Sequence, residues 1–161
     1  ENYFILINNE TKPLIKTIKS RSLEIKILLN HTKRTKIIES LIKKNNLDVF
    51  IDFNLFNLTP GNFLLFNKIC EENKIDIDGD YLDNLKLLFS LYKKDKDINL
   101  INMILFLTDY YFYNCNVKKK DNLEKTIDDK SFVINNISRF IELNINQTSL
   151  INSINNRLSN G

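Results

Sequence analysis

Large aliphatic and aromatic side chains recur every three to four positions through most of this chain, separated by Lys, Asn and Asp. That is the period of amphipathic helices. The run "HTKRTKIIESLIKKNN" places Ile37, Ile38, Leu41 and Ile42 on one face, with Lys33, Arg34, Lys36, Lys43 and Lys44 mostly around the other. "LDVFIDFNLFNL" reads as a shorter apolar helix. Thr59 and Pro60 then supply an N-cap and a first-position proline for a third helix, with Phe63, Leu64, Phe66 and Ile69 as its inner face. Together these three form a small bundle. The polar stretch "EENKIDIDGD", carrying Gly79, is the best domain boundary in the chain. Four further helices are expected beyond it, over 80–94, 98–114, 130–143 and 147–158. The segment "NVKKKDNLEKTIDD" forms a charged connection between the second and third of them, and its Lys118–Lys120 run reads as a solvated loop rather than a phosphate site.

The start of the chain departs from this rhythm. Residues 3–7, Tyr-Phe-Ile-Leu-Ile, form a β-prone run with no polar face, as in a parallel strand buried on both sides. A short helix over 14–20 follows, opened by Thr11 and Pro13, and "LEIKI" (23–27) alternates apolar and charged residues as a short strand does. A lone central strand has no partners for its backbone groups, so the expectation is that a sheet-bearing segment precedes Glu1.

Composition narrows the class. The chain has 161 residues, enough for a real hydrophobic core, and its net charge of +3 comes from 23 basic and 20 acidic residues interleaved along it. Ala and Trp are absent and Gly numbers three, while Asn, Lys, Ile, Leu and Phe dominate, the coding bias of an AT-rich genome. The regularly spaced aliphatics argue against a prion-like Asn-rich tract. Cys70 and Cys115 lie far apart with no C-x-x-C spacing, so both are expected in the core as small hydrophobes rather than in a metal site or disulfide. The longest apolar run, "LINMILFLTDYYFY", is broken by Asn102, Thr108 and Asp109 and is too short to span a bilayer. With no secretory pattern at the start, the chain is expected to be cytoplasmic.

Several stretches carry a resemblance. A buried strand ending in Asn, a short helix with "TIKSR", and a strand leading into a helical bundle are similar to the end of an AAA+ ATPase base domain. "YFILINNETKPLIKTIKSRS" resembles the sensor-1 strand and Ser-Arg-Cys motif of clamp loaders, with Ser22 in place of the Cys. "LTPGNFLLF" resembles the opening of the last lid helix in delta-prime-type subunits of bacterial DNA polymerase III, and "LNINQTSLINSINNRL" their last collar helix. The resemblance implies a mainly α chain with a short α/β remnant. Residues 1–28 would be the end of the base domain, 29–76 a three-helix lid, and 77–161 a helical collar.

It also implies a role. Such a subunit helps ATP-driven loading of the sliding clamp onto primed DNA, as part of a polymerase holoenzyme, with no independent catalysis. Its partners would be other loader subunits through the collar, and the clamp and primer-template DNA through the complex, with no membrane. No G-x-x-x-x-G-K-[ST] occurs in the sequence, so no cofactor is expected on this chain; ATP and Mg would sit on neighbouring subunits. Arg21 takes the place of the arginine finger acting in trans, a rigid, always-charged fork suited to phosphate oxygens. The plainer alternative is that Arg21 caps the carbonyls of the preceding helix. Asn9 falls at the sensor-1 position, where it would orient an attacking water or simply end the strand in a turn. Asn62 stands where motor-type subunits carry a sensor-2 arginine, which fits a subunit that stimulates a neighbour.

Other candidates are weaker. His31, the only histidine, opens a helix and reads as a surface or capping residue. Asp76, Asp78 and Asp80 alternate as in a calcium loop, but Leu87 occupies the twelfth position where an EF-hand needs Glu. Two other readings stay open. One is a replication factor C-type small subunit. The other is a stand-alone nucleic-acid-binding or scaffolding module using Lys33, Arg34, Lys36, Lys43 and Lys44, with steeply salt-dependent affinity. A loader part should instead bind DNA poorly alone and expose apolar surface on the helices over 98–114 and 130–143.

Overall fold

The computed structural model describes residues 4–7, 14–25, 29–54, 56–118 and 123–159. Within them run α1 (Lys16–Lys19), α2 (His31–Asn45), α3 (Pro60–Asn73), α4 (Tyr81–Asp95), α5 (Ile98–Lys118), α6 (Leu123–Leu143) and α7 (Gln147–Ser159). The mainly helical expectation holds.

Helices α4 to α7 close into a ring of neighbours: α4 on α5, α5 on α6, α6 on α7, and α7 back on α4. The connections are short and each pair runs antiparallel. Tyr81 at the start of α4 meets Thr108 and Tyr111 late in α5, and Asp109 of α5 pairs with Lys130 early in α6. Asp129 of α6 reaches Arg157 near the end of α7. This is an up-down-up-down four-helix bundle. Its interior is built from Leu85, Leu88 and Phe89 of α4, Met103, Ile104 and Leu107 of α5, Val133, Ile137 and Phe140 of α6, and Leu150, Ile151 and Ile154 of α7. The Phe89 and Phe140 rings cross it edge to face, 4.7 Å apart.

Helix α3 leans on α5, and α2 packs on α3. Phe66 of α3 packs on Phe106 with ring centres 5.2 Å apart, and Ile51, Ile69, Cys70, Ile75 and Ile77 join the same continuous core. Ile75 and Ile77 lie within the polar stretch expected to separate two domains, and both are buried in that one core. Phe106 therefore buries on the α3 side while Ile104 and Leu107 bury toward the bundle. This explains why α5 is apolar around most of its circumference without being a membrane span. Among the described residues, no helix is long and apolar enough to cross a membrane.

Helix ends follow side-chain chemistry. Asn30, Thr59 and Asp80 each accept a hydrogen bond from the backbone N–H three residues on. Asn46, Lys74, Lys96 and Asn144 take positive φ near 50° at the helix C-termini. With so few glycines available, Asn and Lys adopt the left-handed conformation that ends a helix.

Several expectations need correction. No β-strand occurs among the described residues. The described parts of both expected strands, 4–7 and 23–25, carry no regular structure and are exposed, because no neighbouring strand completes a ladder with them. The expected helix over 14–20 shortens to Lys16–Lys19. The segment 47–58, of which Leu55 lies outside the described residues, is an irregular connection, so two helices and not the expected three occur among the described residues of 29–76. Its Asx chemistry wins over its apolar content: Asp52 accepts from the Asn54 N–H, and the buried Asn67 side chain accepts from the Phe50 N–H at 2.8 Å. Ile51 and Phe56 still reach the core from this loop. Helix α6 starts at Leu123, seven residues earlier than expected, which absorbs half of the charged connection into its first two turns.

Candidate functional site

Arg21 sits in the turn that ends α1, and its side chain is exposed. The carbonyls it was placed to cap are already taken. The Ser20 hydroxyl donates to the Thr17 carbonyl at 3.2 Å and the Ser22 hydroxyl to the Ile18 carbonyl at 2.9 Å, while the Arg21 backbone N–H also reaches Ile18 O at 3.1 Å. The guanidinium makes no hydrogen bond or ion pair with another described residue. The turn thus fixes the Arg21 backbone through its neighbours' hydroxyls and leaves the charged group to solvent. Nearby, Lys19 pairs with Glu24 at 3.5 Å, both well exposed, an interaction worth at most about 1 kcal/mol. Asn9, the second residue expected at the site, lies outside the described residues, as do Lys119 and Lys120.

On either side of α1 along the chain, several large apolar residues are exposed. Phe4, Ile5 and Ile7 are each about nine-tenths exposed, and Ile15, Leu23 and Ile25 are mostly so. By contrast, α5 and α6 keep their apolar middles inside the bundle. Their exposed large apolar residues are Ile98, Tyr113 and Val117 on α5, and Leu123, Ile127 and Leu143 on α6, all near helix ends. The apolar surface expected on those two helices is small, because their partners are within the chain.

Helix α2 divides sharply. Arg34 and Ile38 are buried on its inner face, whereas Lys33, Lys36, Lys43 and Lys44 are exposed. The expectation that Arg34 belongs to the solvent face is therefore wrong. It lies in the arc of Ile38 and Leu41, and its guanidinium donates to the Asn57 side chain of the irregular loop. Its buried Nε has no hydrogen-bond partner among the described residues. Burying a guanidinium is costly, and the apolar stem that accompanies it offsets part of that cost by covering Ile38's neighbourhood.

The three alternating aspartates each serve the local fold. Asp76 accepts from the Asp78 N–H, Asp80 caps α4, and Asp78 accepts from the Tyr110 hydroxyl. The Asp76 carbonyl takes a further bond from the Asn84 amide at 2.6 Å. Among the described residues, no group of three or more His, Cys, Asp or Glu side chains is placed to hold a metal ion. His31 is the exposed first residue of α2, with Asn30 as the cap before it. Asn62 is likewise exposed, in the first turn of α3.

Two polar sites inside the bundle escaped the sequence reading. The Tyr81 hydroxyl lies 3.0 Å from Thr108 Oγ1, which in turn donates to the Ile104 carbonyl, and the Tyr81 ring stacks on Tyr111 at 4.2 Å. Burial pushes the Tyr81 phenol well above its usual range and the Tyr111 phenol up to about 12, the latter also through its hydrogen bond with Cys115. Asp129, nearly buried, accepts from Arg157 Nε at 2.6 Å, and the same guanidinium rests over the Phe132 ring. Only the i, i+4 spacing of Asp129 and Val133 hinted that a carboxylate lay on the inner stripe of α6. No family model, curated protein or solved structure matches this chain.

Proposed function

We propose that this chain acts as an accessory subunit of a clamp-loader-type AAA+ assembly, of the delta-prime type, helping ATP-driven loading of a sliding clamp onto primed DNA. In this reading it does not hydrolyse ATP. Arg21 acts across a subunit interface on ATP and Mg held by a neighbour, and the helical bundle packs within the ring. The supporting observation is that the guanidinium of Arg21 stands exposed at a turn whose capping is done by the Ser20 and Ser22 hydroxyls. An arginine left out of local structure is available to a phosphate. Its delocalised charge would offset the negative charge that develops on the transferred phosphoryl group. The exposed apolar residues on either side of α1 along the chain add to this, since a neighbouring subunit would cover them.

The test is Arg21→Ala in the full-length subunit within the reconstituted assembly. Fingers of this kind contribute about 10³ to 10⁵ in rate in other NTPases, so turnover at the neighbouring site should fall by at least about 10³. Assembly should be unchanged by size-exclusion chromatography. Arg21→Lys should recover little, because an ammonium lacks the planar fork. Unchanged DNA-stimulated ATPase in Arg21→Ala would remove the finger assignment.

A further inference from the structure

The chain's charge is divided by position. Residues 1–46 hold 10 Lys and Arg against 4 Asp and Glu, a net +6, while residues 47–161 hold 13 against 16, a net −3; together they give the +3 of the whole. Helix α2 concentrates the positive part. At 100° per residue, Lys33, Lys36, Ser40, Lys43 and Lys44 fall within an arc of about 100°, on the side away from Arg34, Ile38 and Leu41. A shallow depression runs along this stripe, lined by Lys36, Glu39, Ser40, Lys43 and Lys44. On later helices several cations meet carboxylates, as in Lys68–Glu72, Lys86–Asp83, Lys130–Asp109 and Arg157–Asp129, and Lys93 and Lys96 lie over aromatic rings. The four α2 lysines form no ion pair among the described residues, and Glu39 is the only acidic residue of the helix.

We propose that this stripe is a phosphate-backbone contact surface for nucleic acid, independent of base sequence. From Lys33 to Lys44 it spans about 16 Å along the helix axis at 1.5 Å per residue. That length faces about five phosphates of one strand at 3.4 Å each. Ammonium groups on flexible stems act as point charges and suit a line of phosphates. No aromatic side chain interrupts the stripe, so bases have nothing to stack on and only the backbone is read. An anionic membrane is the poorer fit. A helix lying in a bilayer surface inserts its apolar face, and the apolar face of α2 is turned inward, with Ile38 fully buried. An acidic protein is also a poorer fit, since protein interfaces depend on aromatic or arginine anchors in pockets. Four contacts make a weak interaction alone, one that would supplement binding by a larger assembly. This surface rests on the charge of α2 and not on Arg21, so either proposal can fail without the other.

The experiment is fluorescence anisotropy of the whole chain with a labelled 20-base-pair duplex of mixed sequence, from 50 to 200 mM NaCl. Four phosphate contacts predict a log–log salt slope of about −3.6, or a loss of roughly 100-fold in affinity over that range. Lys36→Gln with Lys43→Gln should halve the slope to about −1.8, while Lys68→Gln with Lys94→Gln on α3 and α4 should bind as the parent does. All four positions are exposed, and an unchanged far-ultraviolet circular dichroism spectrum confirms that each variant is folded. Three results would overturn the proposal: no binding at 50 mM salt, equal weakening by both pairs of substitutions, or capture by phosphatidylserine vesicles without duplex binding.

Discussion

The four-helix bundle and the residues before α2 share one vocabulary of Lys, Asn, Ile and Phe, yet they use it in opposite ways. In the bundle, apolar stripes face one another, Asp129 finds Arg157, and the Tyr81 hydroxyl finds Thr108. Before α2, Phe4, Ile5, Ile7, Leu23 and Ile25 face solvent, and Arg21 has no partner among the described residues. The difference teaches where stability and where interaction reside. Groups that satisfy one another inside the chain hold the fold, and groups left over are free to engage something else.

That contrast is broken most directly by substitution in each region. Ile104 is fully buried in α5, so Ile104→Ala should cost about 2 to 5 kcal/mol of unfolding free energy, from lost transfer energy and a residual cavity. Ile5→Ala removes a comparable side chain that is about nine-tenths exposed, and should change stability by less than about 0.5 kcal/mol. Urea denaturation followed by circular dichroism measures both. A large cost at Ile5 would mean that the N-terminal apolar residues are part of the folded core after all.

The same contrast decides what could be read in advance. Helices α3, α4, α5 and α7 follow from period and caps, because Thr59, Pro60 and Asp80 signal starts that local chemistry alone enforces. The segment 47–58 misled because its apolar spacing is helical, while its Asn and Asp residues bond locally and to Asn67, a partner 17 positions from Phe50. The strands over 3–7 and 23–27 misled for the complementary reason: a strand is a property of a pair, and propensity names only one member. At the candidate site, Arg21 was visible through its motif. The inward turn of Arg34 was missed although its i, i+4 spacing to Ile38 places both on one face, because an arginine among lysines was read by its charge rather than by its register.

A smaller effect sharpens the boundary between loop and core. Asn67, buried in α3, accepts from the Phe50 N–H and donates to the Phe63 carbonyl at 2.8 Å. Asn67→Ala leaves the Phe50 N–H without its partner and should cost about 1 to 3 kcal/mol. Hydrogen exchange at Phe50 should speed up while amides in the middle of α5 keep their order of protection. If Phe50 exchange is unchanged, the loop is held by Ile51 and Phe56 packing rather than by this clamp.

The gentlest probe is alkaline pH, which acts on protons that only the packed part of the chain shelters. Burial pushes the Cys70 thiol up to about 12, and the Tyr111 phenol also rises to about 12. Both groups are held neutral by the fold and ionise more easily once unfolded. The stability they contribute is therefore complete below their unfolded values, near 8.5 for Cys and 10 for Tyr, and is lost as pH climbs toward 12. The melting temperature should begin to fall near pH 9. Cys70→Ala removes the first group to titrate, so its fall should begin about one unit higher, where tyrosine takes over. If Cys70→Ala and the parent lose stability along the same curve from pH 9, the thiol is not sheltered as its place among the core residues requires, and the alkaline sensitivity belongs to the stacked Tyr81 and Tyr111 pair alone.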